Sequence, residues 1–118
     1  MITFRIQTDA DLNIVSSKMH DSEFCEKDIG YDSKKHTFQL KAANYEKEFC
    51  LKLQNVIAYE PKNLDMVNKG KATAGVFNCI KIRENGNNLA IISQDLQIIL
   101  KLTKLEGEFQ ESSKGIAN

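Results

Sequence analysis

The sequence predicts a mainly β protein, an antiparallel β-sandwich or partly open barrel of about seven strands with one short N-terminal helix. Three observations carry this expectation. Apolar side chains recur at period two over most of the chain, a single segment has helical spacing, and turn-forming residues separate the apolar runs at short intervals. There is no βαβ alternation and no internal repeat.

Ile2 to Gln7 alternates and opens as a strand. Asp9 then reads as a helix N-cap, and Ala10 to Met19 carries an apolar stripe of Leu12, Ile14, Val15 and Met19. From Ser22 the period drops to two, with Cys25, Lys27, Ile29 and Tyr31 on one face. Tyr31 to Thr37 is polar and turn-rich, and His36, Phe38, Leu40 and Ala42 alternate after it, so the two runs predict a hairpin. After Asn44 a long central strand is expected, with Phe49, Leu51, Leu53, Asn55, Ile57 and Tyr59 on its apolar face. Pro61 should end it, because proline cannot donate to a ladder.

Residues 62–75 lack a pattern and read as a long connection. Val76 to Glu84 resumes as a strand, and the Asn-Gly within Glu84–Asn88 is the strongest turn signal in the chain. Leu89 to Ser93 pairs back. Gln94-Asp95 breaks the run before Leu96–Thr103, and Leu105 to Gln110 supplies the last strand, as a continuation after a bend or as a new element. One globular unit over residues 1–111 is expected, with a frayed tail over 112–118.

At 118 residues the chain is long enough for one continuous core. Its 42% hydrophobic and 27% charged residues place it among ordinary globular sequences. Net charge is zero, yet unevenly spread. Met1–Asp32 holds 3 basic and 7 acidic residues, Ser33–Arg83 holds 10 and 4, and the remainder holds 3 and 5. Pairing of opposite signs across strands is the expected outcome. Lys34, Lys35, Lys41 and Lys52 are scattered, so no nucleic-acid partner is expected. The apolar runs are too short to cross a bilayer, and no secretory leader is recognisable. With three cysteines at wide spacing, this predicts reduced thiols and a cytoplasmic location.

No residue pattern predicts an enzyme. His20-Asp21-Ser22 contains the residue types of a catalytic triad, but consecutive residues at the start of a strand point to alternate sides. The expected role is structural: Asp21 and Ser22 bond local backbone and His20 closes the helix. Cys25, Cys50, Cys79, His20 and His36 lack the short spacings of a metal site, so neither metal nor cofactor is expected. Gly70-Lys71-Ala72-Thr73 lacks the first glycine of a phosphate loop. Two stretches read as partner-binding candidates: Asp65, Met66, Lys69 and Lys71 in the long connection, and Glu106 and Glu108, with Glu111, on an expected charged edge strand.

Met19-His-Asp-Ser-Glu-Phe24, Ile29-Gly-Tyr-Asp32, His36-Thr-Phe-Gln-Leu40 and Phe49-Cys-Leu-Lys-Leu-Gln-Asn-Val-Ile57 together form a further pattern. It resembles small bacterial domains in which a Leu-His-Asp-Ser element precedes a strand ending in Tyr-Asp, some of them assigned as immunity proteins against polymorphic toxins. The resemblance covers the first half of the chain, and Met19 stands where leucine is usual. It implies a compact β domain with a protein partner, such as a toxin domain, and supplies no catalytic residue. The expected function is therefore a protein-interaction module, concretely an immunity-type protein. A structural component of an oligomeric assembly and a small-ligand-binding β domain are the alternatives.

Overall fold

The computed structural model describes residues 1–63, 73–82, 88–93 and 96–114. The chain is mainly β, with two antiparallel sheets and a short helix arranged as a sandwich or partly open barrel. Among the described residues there are ten strands, where about seven were expected. They are β1 (Ile2–Ile6), β2 (Glu23–Cys25), β3 (Ile29–Asp32), β4 (Thr37–Ala43), β5 (Lys47–Leu53), β6 (Val56–Asn63), β7 (Thr73–Ile82), β8 (Asn88–Ser93), β9 (Leu96–Leu102) and β10 (Gly107–Ser113). Helix α1 spans Asp9–Met19. The strand order is β1-β10-β5-β4-β2-β7-β8-β9-β6, with β3 also on β4. The short β2 links the β1-β10-β5-β4 sheet to the β7-β8-β9-β6 sheet.

The extra strands arise where the period-two pattern runs through a break. The segment expected as one strand from Ser22 to Tyr31 is split by a 3₁₀ turn at Glu26–Asp28, in which the Asp28 carboxylate accepts from the Cys25 amide at 2.9 Å. The long central strand is split at Gln54-Asn55, where Asn55 adopts a left-handed φ of 60°. The chain there leaves one sheet for the other, since β5 pairs with β4 and β10 whereas β6 pairs with β9. The break also reverses the alternation. Leu53 and Val56 are both buried, and Ile57, expected inward, is 44% exposed. Pro61 lies inside β6 rather than ending it. It is tolerated because β6 ends the strand order and needs ladder bonds on one side only.

The return crossing from β9 to β10 runs beside this corner. Gln54 donates its amide to the Glu106 carbonyl at 2.8 Å, and Thr103 donates to the Asn55 carbonyl at 3.0 Å. Two sheet-changing segments thus tie each other down.

Helix α1 starts one residue earlier than expected. Thr8, not Asp9, is the N-cap: its hydroxyl accepts from the Asp11 amide at 3.2 Å, and the Asp11 carboxylate accepts from the amides of Gln7 and Thr8. Those two backbone donors hold the Asp11 carboxyl below its ordinary value. Leu12, Val15 and Met19 enter the core, while Ile14 stays 48% exposed, so the buried stripe is narrower than the sequence suggests. The helix lies along β7, and Ser16 Oγ accepts from the Ile80 amide at 3.1 Å, closing part of a strand edge that β2 leaves open.

The core fills the space between helix and sheets with Phe24, Phe38, Leu40, Leu51, Leu53, Ile91, Ile98, Leu100 and Phe109, among others. Phe109 packs against Phe4 and Phe49, with ring centroids 5.5 and 5.8 Å apart. Residues 112–114, expected as part of a frayed tail, are instead paired. Ser112 and Ser113 pair with Glu48 and Lys47 in the ladder, and the Lys114 amide donates to the Glu46 carbonyl at 2.9 Å. Of the long connection expected over 62–75, Lys62 and Asn63 belong to β6 and Thr73 to Gly75 belong to β7. Among the described residues no helix is long and apolar enough to cross a membrane.

Candidate functional site

The β1-β10-β5-β4 sheet has two unlike faces, because residues directly opposite in an antiparallel ladder share a side. Phe4, Phe109, Leu51 and Leu40 lie in one row on the inner face. The rows between them point outward: Arg5, Glu108, Lys52 and Gln39 in one, and Thr3, Gln110, Cys50 and Lys41 in the next. A third outward row holds Ser112, Glu48, Ala43 and Glu23. Opposite signs do meet in register at Arg5–Glu108–Lys52, as the uneven charge leads one to expect.

A groove of about 430 Å³ opens on this outer face, lined by Glu23, Asp28, Lys41, Glu48, Cys50 and Gln110 among others. A second hollow of about 440 Å³ continues from it past Glu23 and Ala43 to Asp21, Tyr45 and Lys114. Glu23, Asp28 and Glu48 line the groove with Lys41, and Asp21 and Glu23 line the hollow with Lys114. Neither Glu23 nor Glu48 makes a hydrogen bond or ion pair among the described residues, so their oxygens are directed to solvent.

Tyr45 stands at the lip of this hollow and is 91% exposed. The turn that carries it is rigidly closed. Asn44 Oδ1 accepts from the amides of Glu46 and Lys47 at 2.9 and 2.8 Å, and the Asn44 amide donates to the Lys47 carbonyl. A large aromatic ring is thus held out in water by a firm turn.

The groove holds no activated nucleophile. Burial pushes the Cys50 thiol above its ordinary pKa, and the nearby Lys52 and Lys41 only partly oppose this. Ser22 is fully buried and its hydroxyl donates to the Met19 carbonyl at 2.6 Å. His20 is the C-cap of α1, and its Nδ1 lies 3.2 Å from Asp21 Oδ2; Asp21 itself turns the chain with φ of 68°. His20-Asp21-Ser22 therefore forms the helix-to-strand corner, with Asp21 engaging His20 rather than the backbone as expected. Among the described residues no group of three His, Cys, Asp or Glu side chains is placed to hold a metal ion.

The acidic trio near the C-terminus does not share a face. Glu106 sits at the sheet-changing corner, where its side chain accepts from Asn55 Nδ2 at 3.4 Å. Glu108 points outward and accepts from Gln110 Nε2 at 3.0 Å. Glu111 points inward, is 4% exposed, and accepts from Lys47 Nζ at 2.6 Å and Lys18 Nζ at 3.2 Å. The charged-edge expectation is corrected as well, since β10 lies between β1 and β5. Asp65, Met66, Lys69 and Lys71 lie outside the described residues.

Sequence reasoning missed Tyr45, Glu23, Asp28 and Glu48. One signal was present: an aromatic residue between Asn44 and Glu46-Lys47, a place where a turn needs no apolar side chain. The convergence of Asp21, Glu23 and Asp28 with Glu48 had no local signal, because β2 meets β4 through a single register pair. Comparison with protein-family models, curated proteins and solved structures finds no match to this chain.

Proposed function

We propose that the protein is a protein-interaction module whose docking surface is the outer groove with Tyr45 at its lip. The observation that carries this reading is a 91% exposed tyrosine fixed beside Asp21 and Glu23, where its hollow adjoins the groove of Asp28 and Glu48. Tyrosine supplies large contact area at low entropic cost and is enriched among the residues that dominate interfaces. The surrounding carboxylates favour a partner that presents Lys or Arg, which would add contact to the ring face as well as charge complementarity. In its most concrete form the module is an immunity-type protein that covers a toxin domain, a reading supported by the resemblance of residues 19–57 to such domains.

The test is affinity capture of the tagged protein in extracts of its source organism and of close relatives, followed by calorimetric titration with the recovered partner. Tyr45→Ala and Glu48→Lys should each weaken binding about tenfold or more, equal to about 1.4 kcal/mol, with an unchanged melting temperature. An affinity unaltered by both changes would remove this face from the interaction. If the captured partner is a toxin, the wild-type protein should suppress its activity at equimolar ratio and the Tyr45→Ala variant should not.

A further inference from the structure

We propose that a second copy of this chain docks on the free edge of β1, joining the two β1-β10-β5-β4 sheets about a two-fold axis through Phe4. The inference starts from how the strand edges are treated. The β6 edge carries Pro61, flanked by Glu60 and Lys62, and both devices discourage strand addition. The β7 edge is covered by α1, with the Ile80 amide satisfied by Ser16. The β3 edge is four residues long, and Tyr31 is tied to the Val56 carbonyl at 3.2 Å. β1 has none of these protections. Among the described residues it pairs only with β10; it contains no proline and carries a single charge, Arg5.

Its flank is also apolar. Ile2 is 55% exposed and Ile14 is 48% exposed. Lys18 reaches Glu111, the register partner of Ile2, so the last turn of α1 stands at the level of Ile2. Ile14 lies one turn earlier on the same side of α1. Ile2 and Phe4 are on β1 itself, and Ile14 is exposed on the helix that follows it.

The strand is complementary to itself in one register. Antiparallel pairing centred on Phe4 uses all five residues, sets Ile2 against Ile6 of the second copy, and sets Thr3 against its Arg5. No like charges oppose, and each Arg5 keeps Glu108 on its other side. Moving the centre to Arg5 would face two guanidinium groups, and moving it to Thr3 would leave Ile6 unpaired. With the axis at Phe4, the two α1 helices fall on the same side of the joined sheet, and Ile14 of each copy approaches the other. The contact is small, so the dimer is of the weak class, with Kd of about 10–500 µM.

Sedimentation velocity of the full chain from about 5 to about 500 µM tests the idea. The expected result is a mass rising from 13.4 kDa toward twice that value, while an Ile2→Lys/Ile14→Lys variant stays at 13.4 kDa with unaltered melting. A wild-type protein that remains monomeric throughout, or a variant that associates equally well, overturns the proposal. Register is read by mixing Thr3→Cys chains with Arg5→Cys chains under mild oxidation and mapping disulfides by peptide mass spectrometry. The two introduced thiols should link between unlike chains. Thr3→Cys chains alone should not link to each other, because diagonal positions lie about 7–8 Å apart, beyond the usual reach of a disulfide. Equal linking in both mixtures, or in neither, overturns the Phe4-centred register.

Discussion

Strand β10 carries two glutamates three residues apart whose situations are opposite. Glu111 faces inward, is almost fully buried, and is held by Lys18 from the helix and Lys47 from the neighbouring strand. Glu108 faces outward between Arg5 and Lys52, and among the described residues its side chain hydrogen-bonds only to Gln110. The same side chain is a structural tie on one face of the sheet and part of a solvated charge row on the other. The contrast extends over the whole β1-β10-β5-β4 sheet. The inward Glu111 is committed to partners, whereas Glu23 and Glu48 on the outer face are exposed to solvent. Burial, not residue type, separates the two roles.

The comparison breaks most sharply in the inner row. Phe109→Ala should cost about 3–5 kcal/mol, since it leaves a cavity against Phe4 and Phe49, and urea denaturation would register it as a fall in midpoint. A loss below about 1 kcal/mol would mean that the sheet does not pack as described. Next in size is the double change Lys18→Met and Lys47→Met, which strands the Glu111 carboxylate without a cation. About 3 kcal/mol is expected, discounted from deeper pairs because both lysines are partly exposed, and the two single changes should sum to less than the double.

Glu111→Gln should cost about 1–2 kcal/mol near neutral pH, less than removing both cations, because lysines at a surface can return to water. It also probes pH. The hydrogen bond from Lys47, aided by Lys18, holds the Glu111 carboxyl below its ordinary value despite the opposing effect of burial. A depressed folded-state pKa contributes stability above the unfolded carboxylate value, and that contribution fades as pH falls through the folded one. Thermal melts of wild type and Glu111→Gln should therefore differ most at neutral pH and converge in acid. Parallel curves at all pH values would contradict the ion-pair account. The smallest effect belongs to the outer face: Glu108→Gln should shift stability by no more than about 0.5 kcal/mol in the same melts.

Gly107 marks the point where the inner face leaves no room. A Cβ there would lie 2.3 Å from the Lys52 carbonyl oxygen and 2.8 Å from Leu53 Cδ2. Because the first contact is backbone, Gly107→Ala should lower the denaturation midpoint by the equivalent of about 1–3 kcal/mol, despite adding only a methyl group.

Much of this architecture is legible from local pattern. Alternation at Phe38-Leu40-Ala42 and Phe49-Leu51-Leu53 reports a half-buried sheet, because each strand buries one side only. The hairpin between Asp32 and Thr37 follows from its polar turn, where the Asp32 side chain accepts from the amides of Lys34 and Lys35. Strand count and edges were less legible. Asn55 is the one polar residue in the row from Phe49 to Tyr59, and a single polar position does not by itself announce a sheet change. Nor could the acidic residues of the last strand be sorted into inward, outward and corner positions, since that depends on which strands β10 lies between.

The sequence by itself determined the secondary-structure class, the N-terminal helix, the inward residues of β4 and β5, and the presence of unequal acidic and basic stretches. These depend on period and local turn chemistry, which act over a few residues. Only the tertiary structure decided that β10 is interior, that Glu23 joins the groove of Asp28 and Glu48 to the hollow of Asp21 and Tyr45, and that Glu111 is shared by two lysines. Each of these joins segments up to 93 residues apart, as Lys18 and Glu111 are, and sheet order is set by how the whole apolar surface closes rather than by any one strand.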